Sequence, residues 1–201
     1  MPARPSTAPM LHHRLATLAD IPALTALMEA AIGKLQQPFL DPAQIAASRA
    51  IMGLDTQLIE DGTYFVIEAE TDGRRALAGC GGWSRRATLY GGDHSAGRDS
   101  ALLDPACDAA RVRAMYTAPK YARRGVGRLL LELCEAAAAA QGFRRAELVA
   151  TLSGEPLYLA RGYRPIERFE DARGGAPVPL VRMGKAIGAA VEVVYFDGDE
   201  A

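Results

Sequence analysis

The spacing of apolar residues predicts two helices in the first quarter of the chain. Between residues 21 and 32 apolar side chains recur every three or four positions, which gives one buried stripe along a helix, and Gly33 is expected to end it. Asp41 and Pro42 start a second helix, because an Asp side chain caps free backbone N–H groups and a proline is tolerated in the first turn. Gly53 is expected to stop that helix.

The pattern then changes from helical spacing to runs of β-forming residues. Residues 63–69 and 77–89 predict two strands, and Asp72-Gly73 between them is typical of a hairpin turn. A shorter strand is predicted at residues 13–17, before the first helix. Residues 91–104 are predicted to form a long, polar, glycine-bearing loop.

A strand, a helix and a strand follow one another between residues 110 and 150. The strand at 110–117 precedes an amphipathic helix at 125–141 and a strand at 144–150. A connection of this length and handedness makes the two strands parallel. The remaining predicted elements are a short helix at 156–161 and strands at 163–169 and 179–182.

Length and composition fit one folded domain between two extensions. The chain has 201 residues, of which 49% are apolar and 23% are charged, enough to bury a single core. Residues 1–10 carry three prolines and no apolar periodicity, so they are predicted to be a disordered tail. The domain is predicted to span residues 11–186. Residues 187–201 are predicted to be a C-terminal extension, in which 191–196 either add a strand or trail.

Charge and cysteine content argue against several classes of protein. With 23 basic and 24 acidic side chains the formal net charge is -1, so no overall field favours nucleic acid or an anionic membrane as partner. No apolar run approaches the roughly 18 residues that span a bilayer, and the N-terminus lacks an apolar signal core, so a cytoplasmic protein is expected. The cysteines and histidines have no spacing typical of a disulfide framework or a metal site, and no metal is expected.

Residues 119–128 carry the clearest chemical signal. They lie between the end of a predicted strand and the start of a helix, where free backbone N–H groups and the helix dipole attract phosphate. Gly125 and Gly127 remove Cβ atoms that would hold a pyrophosphate away. Positive charge comes from Arg123, Arg124 and Arg128. The segment therefore predicts an anion-binding site.

Two common phosphate-binding motifs do not fit this segment. A P-loop needs Lys and then Ser or Thr after its last glycine, whereas Arg128 and Leu129 follow Gly127. A dinucleotide fingerprint needs a third glycine where this chain has Leu130. A glycine-rich turn with solvated arginines and no ligand remains an open alternative on these residues alone.

Three stretches resemble the GCN5-related N-acetyltransferase (GNAT) superfamily. The segment Ala122-Arg123-Arg124-Gly125-Val126-Gly127 resembles its motif Gln/Arg-x-x-Gly-x-Gly/Ala, with alanine at the first position. Residues 113–119 are similar to the family's strand that ends in a proline, and residues 150–163 to its late motif with an aromatic pair before Gly-aromatic. The resemblance implies an α/β fold whose mixed, largely antiparallel sheet has a central parallel strand pair and is flanked by helices.

The resemblance also implies acetyl-CoA as cosubstrate. The strand edge at 115–117 would pair with the pantetheine arm and the helix start would take the pyrophosphate, so the implied cofactor-binding residues are Met115, Tyr116, Thr117, Arg123, Arg124, Gly125, Val126, Gly127 and Arg128. Tyr158 matches the family position whose hydroxyl faces the cofactor sulfur. We expect Tyr158 to stabilise the leaving thiolate by a hydrogen bond, because full proton transfer from a phenol to a thiolate is uphill by about 2 kcal/mol.

The implied reaction is transfer of acetyl to a primary amine, preferably of a small molecule and otherwise of a protein, by direct attack in a ternary complex. Phe39 and Trp83 are candidates for walls of the acceptor pocket. Glu68 and Glu70 are candidates for the general base, and a water relay is an equal alternative. A module that holds acyl-CoA without turnover is the alternative function. Dimers are common among relatives, which leaves a homodimer open.

Overall fold

The computed structural model describes residues 9–188, which form a seven-stranded sheet flanked by helices. The strands are β1 (Met10–Leu15), β2 (Tyr64–Thr71), β3 (Arg74–Ser84), β4 (Ala110–Thr117), β5 (Arg145–Thr151), β6 (Arg164–Asp171) and β7 (Val178–Ala186). The α-helices are α1 (Ile21–Leu35), α2 (Pro42–Ile51), α3 (Thr56–Glu60), α4 (Val126–Ala140) and α5 (Glu155–Ala160).

The order of the strands confirms the predicted fold class. Neighbours in the sheet run β1-β2-β3-β4-β5-β7-β6, and every pair is antiparallel except the central pair of β4 and β5, which is parallel. Asp72 and Gly73 join β2 to β3 with φ angles of 52° and 71°, as a tight hairpin turn requires. Helix α4 forms the crossover between the two parallel strands.

Apolar side chains bury both faces of the sheet. Leu24 and Ile32 of α1 pack in one core cluster with Tyr64 of β2. Leu131 of α4 packs with Leu148 of β5 in another. Because side chains alternate between the two faces of a strand, each layer of helices covers its own set of strand residues.

The start of α4 lies unusually close to the middle of the sheet. A Cβ atom at Gly79 of β3 would overlap the side chain of Val126, the first residue of α4. Glycine at this position therefore lets the helix approach the strand directly. That approach places the first turn of α4 beside the end of β4.

Several boundaries differ from the sequence-based prediction. Helix α1 continues through Gly33 to Leu35, so the predicted stop was wrong. A Cβ at Gly33 would lie 3.3 Å from Nη2 of Arg49, so this glycine makes room for α2 instead of ending α1. Strand β1 begins inside the predicted tail, because Met10 pairs with Glu70. The short helix α3 has no predicted counterpart, since five residues carry little periodicity.

Residues 1–8 and 189–201 lie outside the described residues. Most of the predicted tail and of the C-terminal extension, including the segment 191–196, therefore falls outside them. Among the helices between residues 9 and 188, none is both long and apolar enough to cross a bilayer.

Candidate active site

Strands β4 and β5 separate from each other after two residue pairs. Ala110 pairs with Ala146 and Arg111 with Glu147, and these are the only pairs that join the two strands in the described part of the chain. A cleft of about 840 Å³ opens beyond them. Residues 112–117 of β4 line one side of it, and residues of β5, α4 and α5 also contribute.

The cleft has two different ends along β4. At the start of the strand, Nη2 of Arg113 donates a hydrogen bond of 2.7 Å to the carbonyl oxygen of Gly91, so the loop before β4 borders this end. At the other end, a Cβ at Gly127 in the first turn of α4 would lie 3.8 Å from Oγ1 of Thr117. The two ends of the cleft therefore lie at opposite ends of the β4 segment from Val112 to Thr117.

A β-bulge shapes the middle of the cleft. The register between β3 and β4 shifts between Cys80 and Gly82, opposite Ala114. Ala114 has a φ angle of 51°, a conformation that costs a non-glycine residue of order 1–3 kcal/mol. The hydroxyl of the fully buried Tyr64 donates a hydrogen bond of 2.8 Å to the carbonyl oxygen of Ala114. This hydrogen bond therefore holds the bulged backbone at Ala114, directly before Met115, which lines the cleft.

The turn into α4 depends on its two glycines for different reasons. Gly125 is the N-cap residue, with a φ angle of 87°, and a Cβ there would meet nothing within 4 Å. Glycine is needed at this position because a residue with a Cβ atom rarely adopts this positive φ angle. A Cβ at Gly127 would lie 2.9 Å from Cδ2 of Leu157, so glycine there lets α5 pack beside the helix start. The first-turn N–H groups have no partner within the helix and are available to an anion.

Three arginines line the end of the cleft beside α4, namely Arg123, Arg128 and Arg161. Arg124, although predicted as a cofactor contact, does not line the cleft. Sequence reasoning missed Arg161, which follows α5. Oε1 of Glu132 accepts hydrogen bonds from Nε of Arg128 at 2.9 Å and from Nη2 of Arg161 at 2.8 Å. Arg161 lies within the late motif at residues 150–163, but the motif gives it no role, and only the packing of α5 shows that it reaches the site.

Tyr158 lines the cleft from α5. Burial raises the pKa of its hydroxyl well above the usual value for tyrosine, so the group stays protonated and can donate a hydrogen bond. Its ring packs edge-on against Tyr163, with 5.9 Å between ring centroids. A Cβ at Gly154 would lie 3.1 Å from Cε2 of Tyr158, so the ring is closely confined on a second side.

The end of the cleft beside the start of β4 is apolar. Phe39 contributes from the segment between α1 and α2, where it is 46% exposed, and Tyr90 contributes from the segment between β3 and β4. The other apolar side chains at this end are Leu35, Ile51, Met52, Leu89, Val149 and Leu180. Phe39, a candidate from the sequence, therefore belongs to the cleft. We refer to this set of eight residues as the apolar end.

The structure does not bring the other candidate acceptor residues to the cleft. Trp83 is only 4% exposed and packs edge-on against Phe143, with 5.9 Å between ring centroids. Glu68 forms an ion pair of 3.2 Å with Arg14 of β1. Glu70 likewise pairs with an arginine and a histidine of neighbouring strands. Both glutamates lie on β2, which β3 separates from β4, and Trp83 packs in a core cluster with residues of α4.

Acidic side chains and imidazoles are absent from the walls of the cleft within residues 9–188. The same residues contain no cluster of three or more His, Cys, Asp or Glu side chains that could hold a metal ion. The polar groups that line the cleft are arginine side chains, the hydroxyls of tyrosine, threonine and serine residues, and backbone groups.

Residues 60–165, just over half of the chain, match the family profile described as an acetyltransferase (GNAT) domain. The chain belongs to this family, which confirms the resemblance seen in the sequence and supports N-acetyltransferase activity in general. A search of curated proteins gave no match.

Solved structures share the fold at low sequence identity. A GCN5-related N-acetyltransferase from Rhodopseudomonas palustris is 18% identical, with a TM-score of 0.63 over 92% of this chain and 100% of that one. The PaiA N-acetyltransferase from Thermoplasma acidophilum, solved with coenzyme A, is 13% identical, with a TM-score of 0.57 over 88% and 99%. A ribosomal-protein-alanine N-acetyltransferase from Brucella melitensis is 18% identical, with a TM-score of 0.56 over 88% and 99%.

Proposed function

We propose that this protein transfers acetyl from acetyl-CoA to a primary amine of a small molecule, by direct attack in a ternary complex. The observation that carries the proposal is the cleft between β4 and β5, which joins a helix start, the bulge at Ala114 and Tyr158 in one continuous space. The coenzyme A bound to the Thermoplasma acidophilum protein of the same fold supports the choice of cosubstrate.

The end of the cleft beside α4 suits the phosphates of the cosubstrate. The free N–H groups of the first turn of α4 and the side chains of Arg123 and Arg128 would hold the pyrophosphate. Hydrogen bonds to charged groups contribute roughly 1.5–3 kcal/mol each, so a few suffice for useful affinity. Beyond its first two residues, β4 is not paired with β5 and offers a free edge to an extended chain such as pantetheine.

The middle of the cleft suits the reacting thioester, which the cosubstrate supplies. A bond forms between the amine nitrogen and the acetyl carbon, the bond from carbon to sulfur breaks, and coenzyme A leaves as a thiolate. Backbone N–H groups around Met115 and Tyr116 polarise the carbonyl, and Tyr158 donates a hydrogen bond to the thiolate. Water takes the proton from the amine, since Glu68 and Glu70 lie away from the cleft.

Release of the coenzyme A thiol in the presence of a panel of primary amines tests this function. The acceptors are analysed in parallel by mass spectrometry. We expect thiol release to depend on the amine and to match the amount of acetylated product. If acetyl-CoA binds in calorimetry but no amine raises thiol release above hydrolysis, the protein is a binding module and the proposal is wrong.

A further inference from the structure

The apolar end of the cleft is assembled from six separate parts of the chain. These are α1, the segment after α1, the end of α2 with the residue that follows it, the segment before β4, β5 and β7. Apolar side chains that line one concave surface are typical of a ligand site. Phe39 is 46% exposed, so an acceptor that covered it would remove carbon surface from water.

Tyr90 is held in a fixed position at this end. Its hydroxyl donates a hydrogen bond of 3.0 Å to Oδ2 of Asp171. The guanidinium of Arg173 lies over the ring, 5.1 Å from its centroid, and is itself bonded to Asp171. Phe169 packs against the ring with 5.8 Å between centroids. The Tyr90 ring is therefore a preorganised wall that loses little freedom when a ligand binds.

The charged groups around the apolar end are paired with each other. Nη1 of Arg113 lies 2.6 Å from Oδ2 of Asp55, which is fully buried, and Nη2 of Arg98 lies 2.7 Å from Oδ1 of the same residue. Asp171 likewise forms an ion pair with the guanidinium of Arg173. A second ammonium group on a ligand would find no free carboxylate among the described residues that line the cleft, and burying it unpaired is costly.

We propose that the acceptor is a small primary amine with an apolar, aromatic body, whose ring lies against Phe39 and Tyr90. This inference rests on the proposed function, because it places the amine where it reaches the middle of the cleft. The ring supplies the binding energy through burial of carbon surface and through aromatic packing. The single amino group is directed along β4 toward Tyr158.

An acceptor series tests the proposal with the wild-type protein at saturating acetyl-CoA. The probes are 2-phenylethylamine, n-propylamine, spermidine and a short peptide that begins with phenylalanine. We expect kcat/KM for 2-phenylethylamine to exceed the values for n-propylamine and spermidine by at least roughly tenfold, because neither of those two amines has a phenyl ring to bury. A preference for spermidine overturns the proposal, and a preference for the peptide overturns the choice of a small molecule. If no probe releases thiol above hydrolysis, the proposed function itself fails.

Two variants test whether the aromatic ring of the acceptor lies against Phe39 and Tyr90. Phe39→Ala should lower kcat/KM for 2-phenylethylamine by about fivefold to tenfold and leave the value for n-propylamine within about twofold. Tyr90→Leu, which keeps apolar volume and removes the ring, should act in the same direction. Leu102→Ala is the matched control, since Leu102 is 66% exposed and does not line the cleft.

The affinity of each variant for acetyl-CoA is measured by calorimetry to show that the cofactor end is intact. An equal loss for both amines in Phe39→Ala, with unchanged acetyl-CoA affinity, would show that Phe39 does not contact the acceptor ring and would overturn its assignment.

Discussion

The hydroxyl of Tyr64 lies 2.8 Å from the carbonyl oxygen of Ala114 and donates a hydrogen bond to it. Tyr64 begins β2 and is completely buried, whereas Ala114 forms the bulge of β4, two strands away. The bond holds a strained backbone position next to Met115 in the cleft. It thereby connects the hydrophobic core to the place where the thioester is expected to lie.

We predict that Tyr64→Phe lowers both stability and turnover. The variant removes a part-buried hydrogen bond to the carbonyl oxygen of Ala114, which should cost about 0.5–1.5 kcal/mol of unfolding free energy in urea titrations. Because the bulge also positions the backbone donors of the cleft, kcat should fall roughly tenfold while the affinity for acetyl-CoA changes little. Loss of stability with unchanged kcat would show that the bulge does not depend on this hydrogen bond.

Gly125 should be required for its backbone conformation. A φ angle of 87° costs a residue with a Cβ about 1–2 kcal/mol, and no neighbouring atom would obstruct the new methyl group. Gly125→Ala should therefore lower the unfolding free energy by that amount. Gly125→Asn is the matched control. Asparagine tolerates the left-handed region, so this variant should lose less unfolding free energy than Gly125→Ala. Equal losses for the two variants would contradict a purely conformational role.

Arg161 should contribute to the affinity for acetyl-CoA, although the sequence motif that contains it implied no role for it. Removal of one charged hydrogen bond to a phosphate costs roughly 1.5–3 kcal/mol, so Arg161→Ala should raise Kd by about tenfold or more. Arg124→Ala is the control, because Arg124 does not line the cleft, and its Kd should stay within about twofold of the wild type. Calorimetric titration distinguishes the two, and the reverse order of effects would contradict the placement of the arginines.

Tyr158→Phe should lower kcat with little change in the Kd for acetyl-CoA. The lost hydrogen bond acts on the charge that develops on the leaving sulfur, so a decrease of roughly tenfold to a hundredfold is expected. Tyr163→Phe is the control, since Tyr163 packs against Tyr158 but does not line the cleft. Single-turnover measurements with a responsive amine compare the two variants. Equal kcat in Tyr158→Phe and wild type would remove Tyr158 from the mechanism.

Much of the fold could be predicted because its signals are local. The strand observed at Ala110–Thr117 and the helix from Val126 follow directly from β-forming runs and apolar spacing. The turn at Asp72-Gly73 is specified by two adjacent residues. Gly33 shows where such signals fail, because its effect depends on Arg49 of a different helix.

The anion-binding segment before α4 could be predicted from neighbouring residues in the chain, whereas the edge of β4 and Tyr158 were predicted through the resemblance to the family. Arg161 and Tyr90 reach the cleft through tertiary packing, and Glu68 and Trp83 are kept away from it by strand order and by the face on which they lie. No spacing pattern in the sequence indicates which of these residues reach the cleft.

The most direct test of the account is calorimetric titration of acetyl-CoA into the wild type and Gly127→Glu, with Arg124→Glu as control. The Gly127 substitution puts a carboxylate and its bulk into the first turn of α4, beside the space assigned to the phosphates, whereas position 124 does not line the cleft. Circular dichroism establishes that all three proteins are folded. We predict saturable binding to the wild type and to Arg124→Glu, and none to Gly127→Glu. Absence of binding to the wild type, or undiminished binding to folded Gly127→Glu, would contradict the claim that this cleft is the acetyl-CoA site.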